Sequence, residues 1–335
     1  MKKKIFLSLS IIAGIVALWI IFKAIPYGDI LDAFSSANIK SILGFVAVSV
    51  ALISTLTWRW KIVLNSQKVN VPFHNVMAYR FIGYSISYLT PSAKLGGEPV
   101  RAGLLTRHGV KFSKALSSII IDKTIDFATS ALFFFIGALT VLFQIALPKE
   151  TSIIMMTFAV IFLSTMIFVY QRLASGKGFI KKLIWGLKLD RFKKIRKSER
   201  KIESFEKLVI KFFKKDKTYF LLATGVSLLA WILMFLEYKF AGLILGINLS
   251  FLMIFLIVSF VGVAILIPVP MAIGALEASQ IGVFSIFDMK NAMGVALALI
   301  IRARDLAWTL IGLILLSYHG LKISTTIKKD INYVK

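Results

Sequence analysis

Six apolar runs, 5–22, 41–58, 115–147, 152–170, 218–245 and 292–318, punctuate the chain. Each reaches about 18 residues or more, the length at which a helix crosses the roughly 30 Å hydrocarbon core of a bilayer. Inside lipid every backbone N–H and C=O must be satisfied within protein, and a helix does this within its own segment. The runs therefore predict an all-α polytopic integral membrane protein. Composition agrees, since 58% of the 335 residues are hydrophobic, whereas a soluble domain holds about half.

Charge supplies topology. The 41 Lys and Arg outweigh the 16 Asp and Glu, for a net charge of +25. In a soluble protein that would suggest nucleic acid. Here the basic residues gather in loops, where they orient the spans and meet anionic head groups, and no nucleic-acid partner is expected. Cysteine is absent, which excludes disulfides, thiolate metal sites and cysteine nucleophiles. His74, His108 and His319 are dispersed without metal-ligand spacing. No metal or other cofactor is expected.

Met1-Lys-Lys-Lys leads into the first run with no small-residue cleavage site after it, so that run reads as a retained helix starting in the cytoplasm. The loop 26–38 carries Asp29 and Asp32 and no Lys or Arg, as an outside loop should. Trp58-Arg59-Trp60-Lys61 reads as an aromatic and basic anchor at the cytoplasmic interface. The connection 172–217 holds 17 Lys and Arg against 5 Asp and Glu and is assigned to the cytoplasm. Within it Phe205, Leu208, Val209, Phe212 and Phe213 recur at helical spacing among lysines. That pattern predicts an amphipathic helix lying on the membrane and touching anionic lipid head groups; calmodulin-like partner binding is the rival reading. Lys322, Lys328, Lys329 and Lys335 place the tail in the cytoplasm too. The expectation is a multi-pass protein of the cell membrane, one transmembrane domain over 1–335, with both termini cytoplasmic.

One stretch does not suit lipid. Tyr88–Arg101 contains Pro91, Lys94, Gly96, Gly97, Glu98, Pro99 and Arg101, yet it lies between apolar segments. Irregular backbone at membrane depth is tolerated only where protein or a water-filled cavity surrounds it. A shift of 179 residues gives this stretch a counterpart. Pro91 falls on Pro270, Glu98 on Glu277, Lys123 on Arg302 and Asp126 on Asp305. Apolar bias does not align proline, glutamate, a basic residue and aspartate at one offset. The halves 41–147 and 218–318 are read as an internal repeat.

Loop charge predicts that the two copies are inverted. The hairpin 73–114 has basic flanks at both ends and should enter from the cytoplasm. The hairpin 251–290 must enter from outside if the tail is inside. The predicted fold is about six full spans plus two re-entrant hairpins, or eight to ten spans by a looser count, with inverted topology. Such folds serve alternating-access transport, with interrupted segments near the midplane.

The hairpins and the spans after them carry charge where charge is costly. Asp126 lies about 16 Å into its run at 1.5 Å per residue. A charge at the bilayer centre costs roughly 2.5–3.5 kcal/mol on insertion scales, so these groups must face a cavity or each other. Asp122 and Asp126 share a helix face, as do Arg302 and Asp305. One reading is buried ion pairs that lock helices together without a ligand. The other is a phosphate site, for which basic side chains beside Gly-Gly backbone are suited. The candidate substrate-binding residues are Glu98, Arg101, Lys123, Asp126, Glu277, Arg302 and Asp305, with hairpin backbone from Pro91, Gly96, Gly97, Pro268, Pro270 and Gly274. Glu98 and Glu277 could serve as an acid/base pair, but no nucleophile motif, Walker loop or Asp-x-Asp signature accompanies them, and no catalytic residue is assigned.

These residues resemble the lysylphosphatidylglycerol synthase transmembrane region, a family of flippase-like membrane proteins. Its pattern Pro…Gly-Gly-Glu-x-x-Arg, then a basic residue and Asp, is matched by Pro91, Gly96, Gly97, Glu98, Arg101, Lys123 and Asp126. A later pattern, Pro-x-Pro-Gly-Gly-x-Gly-x-x-Glu, is matched by Pro268, Pro270, Gly274 and Glu277. Met271 and Ala272 replace the glycine pair, and Lys123 stands where arginine is more usual. The second hairpin is expected to be stiffer for it. Some members flip aminoacylated phospholipids; others are implicated in handling isoprenoid-phosphate-linked sugars. No soluble aminoacyl-transfer domain is read in the sequence, so the chain is not expected to make lysylphosphatidylglycerol by itself. The resemblance implies translocation of a phosphate-bearing lipid between leaflets, with Arg101, Lys123 and Arg302 on the head group. The alternative is a membrane-embedded accessory subunit or transferase in lipid or glycan synthesis, serving a separate lipid- or glycan-modifying enzyme.

Overall fold

The computed structural model describes residues 19–20, 23, 25–90, 96–144, 149–178, 199–266 and 269–318. Regular structure among them is helical, with no strand. The first predicted span lies almost wholly outside the described residues, as do Pro91, Pro268 and the tail from 319.

In chain order the helices are α1 (Tyr27–Asp32), α2 (Ile39–Ser66), α3 (Phe73–Leu89), α4 (Glu98–Thr106), α5 (Phe112–Gln144), α6 (Lys149–Ala174), α7 (Glu199–Lys215), α8 (Lys217–Ile244), α9 (Phe251–Leu266), α10 (Ala275–Ile286) and α11 (Asn291–Tyr318). A 3₁₀ turn, Pro270–Ala272, precedes α10. Among the described residues, four helices are long and apolar enough to cross a membrane: α2, α5, α8 and Ser152–Ala174 of α6. α11 matches α2 and α8 in length at 28 residues, about 42 Å at 1.5 Å per residue, but its middle carries Arg302, Arg304 and Asp305. α4 and α10, of 9 and 12 residues, are half-span pieces.

The elements obey the repeat. α2, α3 and α5 begin at 39, 73 and 112, and α8, α9 and α11 begin at 217, 251 and 291, offsets of 178, 178 and 179. The short helices α4 and α10 follow at an offset of 177. A duplication of span, hairpin and span accounts for both the sequence matches and this element order.

Two compact units form within the chain. One comprises 1–54, 80–97 and 230–316; the other comprises 55–79, 98–229 and 317–335. Each therefore draws on both halves of the repeat.

Two expectations about the cytoplasmic side are corrected in the second unit. First, α2 does not stop at Trp58. Ile62, Val63 and Leu64 prolong its apolar stripe and are buried, so the helix runs two turns further, to Ser66. Only Trp58 is exposed as an anchor would be; Arg59 and Trp60 are buried. The chain then turns at Lys68, whose φ is +55°, and Lys61 Nζ donates to the Val71 carbonyl at 2.5 Å. Second, the apolar stripe of α7 is buried in protein. Val209, Phe212 and Phe213 pack among Ile62, Val63, Ile121, Ile125, Leu173, Ala223 and Val226. Tyr170 stacks on Phe220 at 5.1 Å, and Phe213 meets Phe220 at 5.6 Å. Protein supplies the apolar surface that lipid was expected to supply. Lys207, Lys211, Lys214 and Lys215 stay exposed.

The first unit holds the second half of α3 together with α9, α10 and α11. Ile25, Ile30, Ala292 and Val295 form one of its buried apolar clusters, against which Phe34, Ile281 and Leu299 pack. Phe81 of α3 contacts Trp308 of α11 at 5.4 Å, and Ser85 Oγ donates to the Thr309 carbonyl at 3.0 Å.

Candidate functional site: two charged hairpins

The first hairpin turns on glycine. α3 ends at Leu89, and the chain is described again from Gly96. Gly97 N donates to Ser87 Oγ at 2.8 Å. A Cβ on Gly97 would lie 1.9 Å from the Gly83 carbonyl oxygen, so the returning strand of chain can approach α3 only as glycine. Glu98 opens α4, and Pro99 follows where a helix needs no N–H.

The charges around α4 lie within the second unit. Arg101 Nη1 donates to Glu98 Oε2 at 2.8 Å, and Lys123 Nζ lies 3.2 Å from Glu98 Oε1. Arg59 Nε donates to Asp122 Oδ1 at 2.8 Å, while its Nη1 reaches Asp126 Oδ1 at 2.7 Å and Ser227 Oγ at 2.8 Å. Asp122 and Asp126 do share a face, and one arginine bridges them. Three carboxylates thus meet three cations, and the cluster is formally neutral.

Arg101 is the member whose capacity is not used up. It is 3% exposed. Its guanidinium sits 3.9 Å over the centroid of the Trp60 ring, and Trp60 is itself fixed by a 3.1 Å hydrogen bond to Ser118 Oγ. Nε and Nη2 have no hydrogen bond within the protein; Nη2 stands 3.6 Å from Asp122 Oδ2, an ion-pair distance only. Those two atoms form the fork that grips a carboxylate or phosphate bidentately.

The second hairpin lies in the first unit and is built from strained backbone. Met271, Ala272 and Gly274 have φ of +59°, +48° and +79°. These are the three glycine positions of the pattern that the sequence resembles. Left-handed backbone costs a non-glycine residue roughly 1–2 kcal/mol, so Met271 and Ala272 hold the same turn at a cost their glycine counterparts would avoid. The turn aims carbonyls at Arg302, which donates to Met271 O at 3.1 Å and Ala272 O at 3.3 Å. Arg302 also grips Glu277 with Nη2, at 2.8 Å from Oε2, and with Nε on Oε1. Glu277 in turn accepts from Gly274 N at 3.0 Å, anchoring the start of α10.

The pair Glu98–Lys123 and the pair Glu277–Arg302 are therefore the same pair, 179 residues apart. Arg302 and Asp305 share a face but do not pair with each other, because the Glu277 carboxylate and the turn carbonyls occupy Arg302. Asp305 is instead bonded by Arg304 Nε and Nη2 at 3.0 and 2.7 Å. Arg304 also pairs through Nη1 with Glu237, and Ser49 Oγ donates to Glu237 Oε1 at 2.5 Å.

All seven candidate side chains are thus engaged in ion pairs. Glu98, Arg101, Lys123 and Asp126 gather in one unit, and Glu277, Arg302 and Asp305 in the other. Sequence reading missed Arg59, Glu237 and Arg304 as members. The signal for Arg59 was the apolar Ile62-Val63-Leu64 that follows it, which marks a helix continuing past its charges.

The chain matches the family described as "Lysylphosphatidylglycerol synthase TM region" over residues 5–312. A UPF0104 membrane protein of Methanothermobacter thermautotrophicus is 23% identical over 95% of this chain and 96% of its own length. Another, from Pyrococcus horikoshii, is 26% identical over 90% of this chain and 92% of its own length. A third, from Methanocaldococcus jannaschii, is 23% identical over 99% of each.

Proposed function

The chain belongs to the lysylphosphatidylglycerol synthase TM region family, and from that premise we propose that it moves a phosphate-bearing lipid between membrane leaflets. One observation carries this reading: the buried guanidinium of Arg101, stacked on Trp60, keeps its Nε–Nη2 fork unmatched by any hydrogen bond. A buried donor without a partner costs about 1–3 kcal/mol, more when charged. A lipid phosphate would satisfy both donors, and its charge would offset that of the cation. Glu98 fixes the far corner of the guanidinium, so the fork is presented in one orientation. Lys123, half-buried and bound to the other Glu98 oxygen, brings a second positive charge to the same carboxylate.

In this reading Glu98 and Asp126 balance charge in the first-hairpin cluster, so that it is neutral and a passing anion is held without being trapped, and Glu277 and Asp305 balance charge around the second hairpin. The hairpins enter from opposite faces, as loop charge requires. Cysteines introduced singly at Lys94 and Ile273 of this cysteine-free chain should then label from opposite sides of the membrane. Labelling from one side would remove the inverted topology from the account.

The transport reading is tested in vesicles with a fluorescent phospholipid and a membrane-impermeant quencher. The intact protein is expected to speed leaflet exchange, and Glu98→Gln and Arg302→Ala should each slow it about tenfold or more while still purifying as folded protein. Exchange at the intact rate in both variants would refute the assignment. The lipid should also leave with its mass unchanged; a new lipid mass would favour the transferase alternative.

A further inference from the structure

We infer that the lysine face of α7 is a docking surface for an anionic bilayer, a role separate from transport, and that this contact holds α7 seated behind the Arg59 network. Lys207, Lys211, Lys214 and Lys215 stand at i, i+4, i+7 and i+8 of one helix, so they share a face. All four are exposed. The other side of the helix is committed to protein, with Val209, Phe212 and Phe213 buried. Glu206 is turned away from the lysines: it is buried, and a Cβ on Gly178 would lie 2.3 Å from its carboxyl carbon. Glu203, four residues before Lys207, is a countercharge at the far end of the lysine face.

The helix stands where two spans meet the membrane surface. α7 ends at Lys215 and α8, which is long and apolar enough to cross a membrane, begins at Lys217, with Asp216 alone between them. The Lys214 side chain lies across Gly176, just past the end of α6: a Cβ there would come within 2.9 Å of Nζ. Tyr170, in the last turns of α6, stacks on Phe220 in the first turn of α8. Head groups around the ends of α6 and α8 therefore lie nearest to Lys214 and Lys215. Each lysine close to an anionic surface strengthens attachment about fivefold.

The buried stripe decides how the face can be used. A helix that inserts among acyl chains, or one that lays its apolar side in a partner's groove, needs that side free. In α7 it is packed on Ile62, Val63, Ile121, Ile125, Ala223 and Val226. Attachment is left to the lysines, and salt screens it. The same packing gives attachment a consequence within this unit. Ile62 and Val63 follow Arg59 by about one turn of α2, Ile121 and Ile125 flank Asp122 on α5, and Val226 directly precedes Ser227 on α8. Arg59 bonds both Asp122 and Ser227. α7 thus backs all three helices that supply the network, and a surface that holds α7 in place holds them together.

The test is hydrogen–deuterium exchange of the full-length protein in nanodiscs of phosphatidylcholine, alone or mixed with phosphatidylserine, at low and high salt. In the intact protein the α7 amides are expected to exchange about tenfold more slowly in the anionic discs at low salt, and the difference should vanish at high salt. Lys207→Gln, Lys211→Gln, Lys214→Gln and Lys215→Gln together should abolish it without lowering the melting temperature in uncharged detergent; arginine at the same four positions should keep it. Arg101→Ala should keep it as well, because that variant removes the phosphate fork and leaves α7 alone. Equal exchange of the intact protein in both discs would overturn the inference and leave the face to an acidic protein segment. A difference that survives high salt or the glutamine variant, or that disappears in Arg101→Ala, would overturn it by placing the lipid elsewhere, in the last case at the fork. A glutamine variant that melts lower in detergent would overturn it by making the lysines structural.

Discussion

Arg59→Leu is expected to abolish stable folding. The substitution leaves Asp122, which is 1% exposed, and Asp126 without the arginine that bonds both. Removing one member of a buried charge network costs about 3–5 kcal/mol, because the remaining charge is left desolvated and unpaired. A typical domain has about 5–15 kcal/mol in total. The other cations nearby do not compensate: Arg101 stands 3.6 Å from Asp122 and is tied to Glu98. Arg59→Lys should fall between, since an ammonium keeps the charge but cannot reach Asp122, Asp126 and Ser227 with one rigid fork. The control is the triple variant Arg59→Leu, Asp122→Leu, Asp126→Asn. It removes the stranded carboxylates and should recover much of the lost stability. Melting temperature in detergent and the yield of monodisperse protein measure all three. A single variant as stable as the intact protein would show that the network does not hold these helices.

Gly97→Ala should have a comparable effect by a different route. The added Cβ would lie 1.9 Å from the Gly83 carbonyl oxygen and 2.5 Å from its carbon. The obstacle is helix backbone, not the end of a flexible side chain, so either α3 or the hairpin must move. Overpacking a core costs about 1–3 kcal/mol even where side chains can adjust. Moving the hairpin also breaks the 2.8 Å bond from Gly97 N to Ser87 Oγ. Gly97 directly precedes Glu98, so the shift carries into the start of α4 and displaces Glu98 and Arg101. The expected result is a lower melting temperature together with lipid exchange reduced about tenfold or more. Unchanged exchange in a folded Gly97→Ala protein would mean that the hairpin's close approach is not needed at the site.

Much of this was readable from the sequence because lipid imposes strict rules. Apolar length marked α2, α5, α6, α8 and α11, and the fixed offset between Glu98 and Glu277 marked the repeat before any geometry was known. The offset also predicted which residues would be equivalent, and Glu98–Lys123 and Glu277–Arg302 are paired in the same way. Met271 and Ala272, which stand where the pattern has a glycine pair, sit in left-handed backbone.

What was not readable was partner choice. Arg59 looked like an interfacial anchor because arginine between tryptophans at the end of an apolar run usually is one. Its burial depends on two further turns of α2 and on where α5 places Asp122 and Asp126. Arg302 and Asp305 share a face, yet each bonds elsewhere, because helix spacing fixes neighbours and not the carboxylate supplied by another element. The stripe of α7 had the right period for a membrane surface. Period alone does not distinguish a lipid from the faces of α2, α5 and α6.

The most direct measurement is the rate at which a fluorescent phosphatidylglycerol exchanges between leaflets in vesicles holding equal amounts of intact, Arg101→Lys and Arg101→Ala protein. The account predicts rapid exchange with the intact chain, a partial loss with Arg101→Lys, which keeps charge but loses the fork, and a loss of about tenfold or more with Arg101→Ala, equivalent to about 1.4 kcal/mol at the site. Equal rates for all three folded proteins would contradict it.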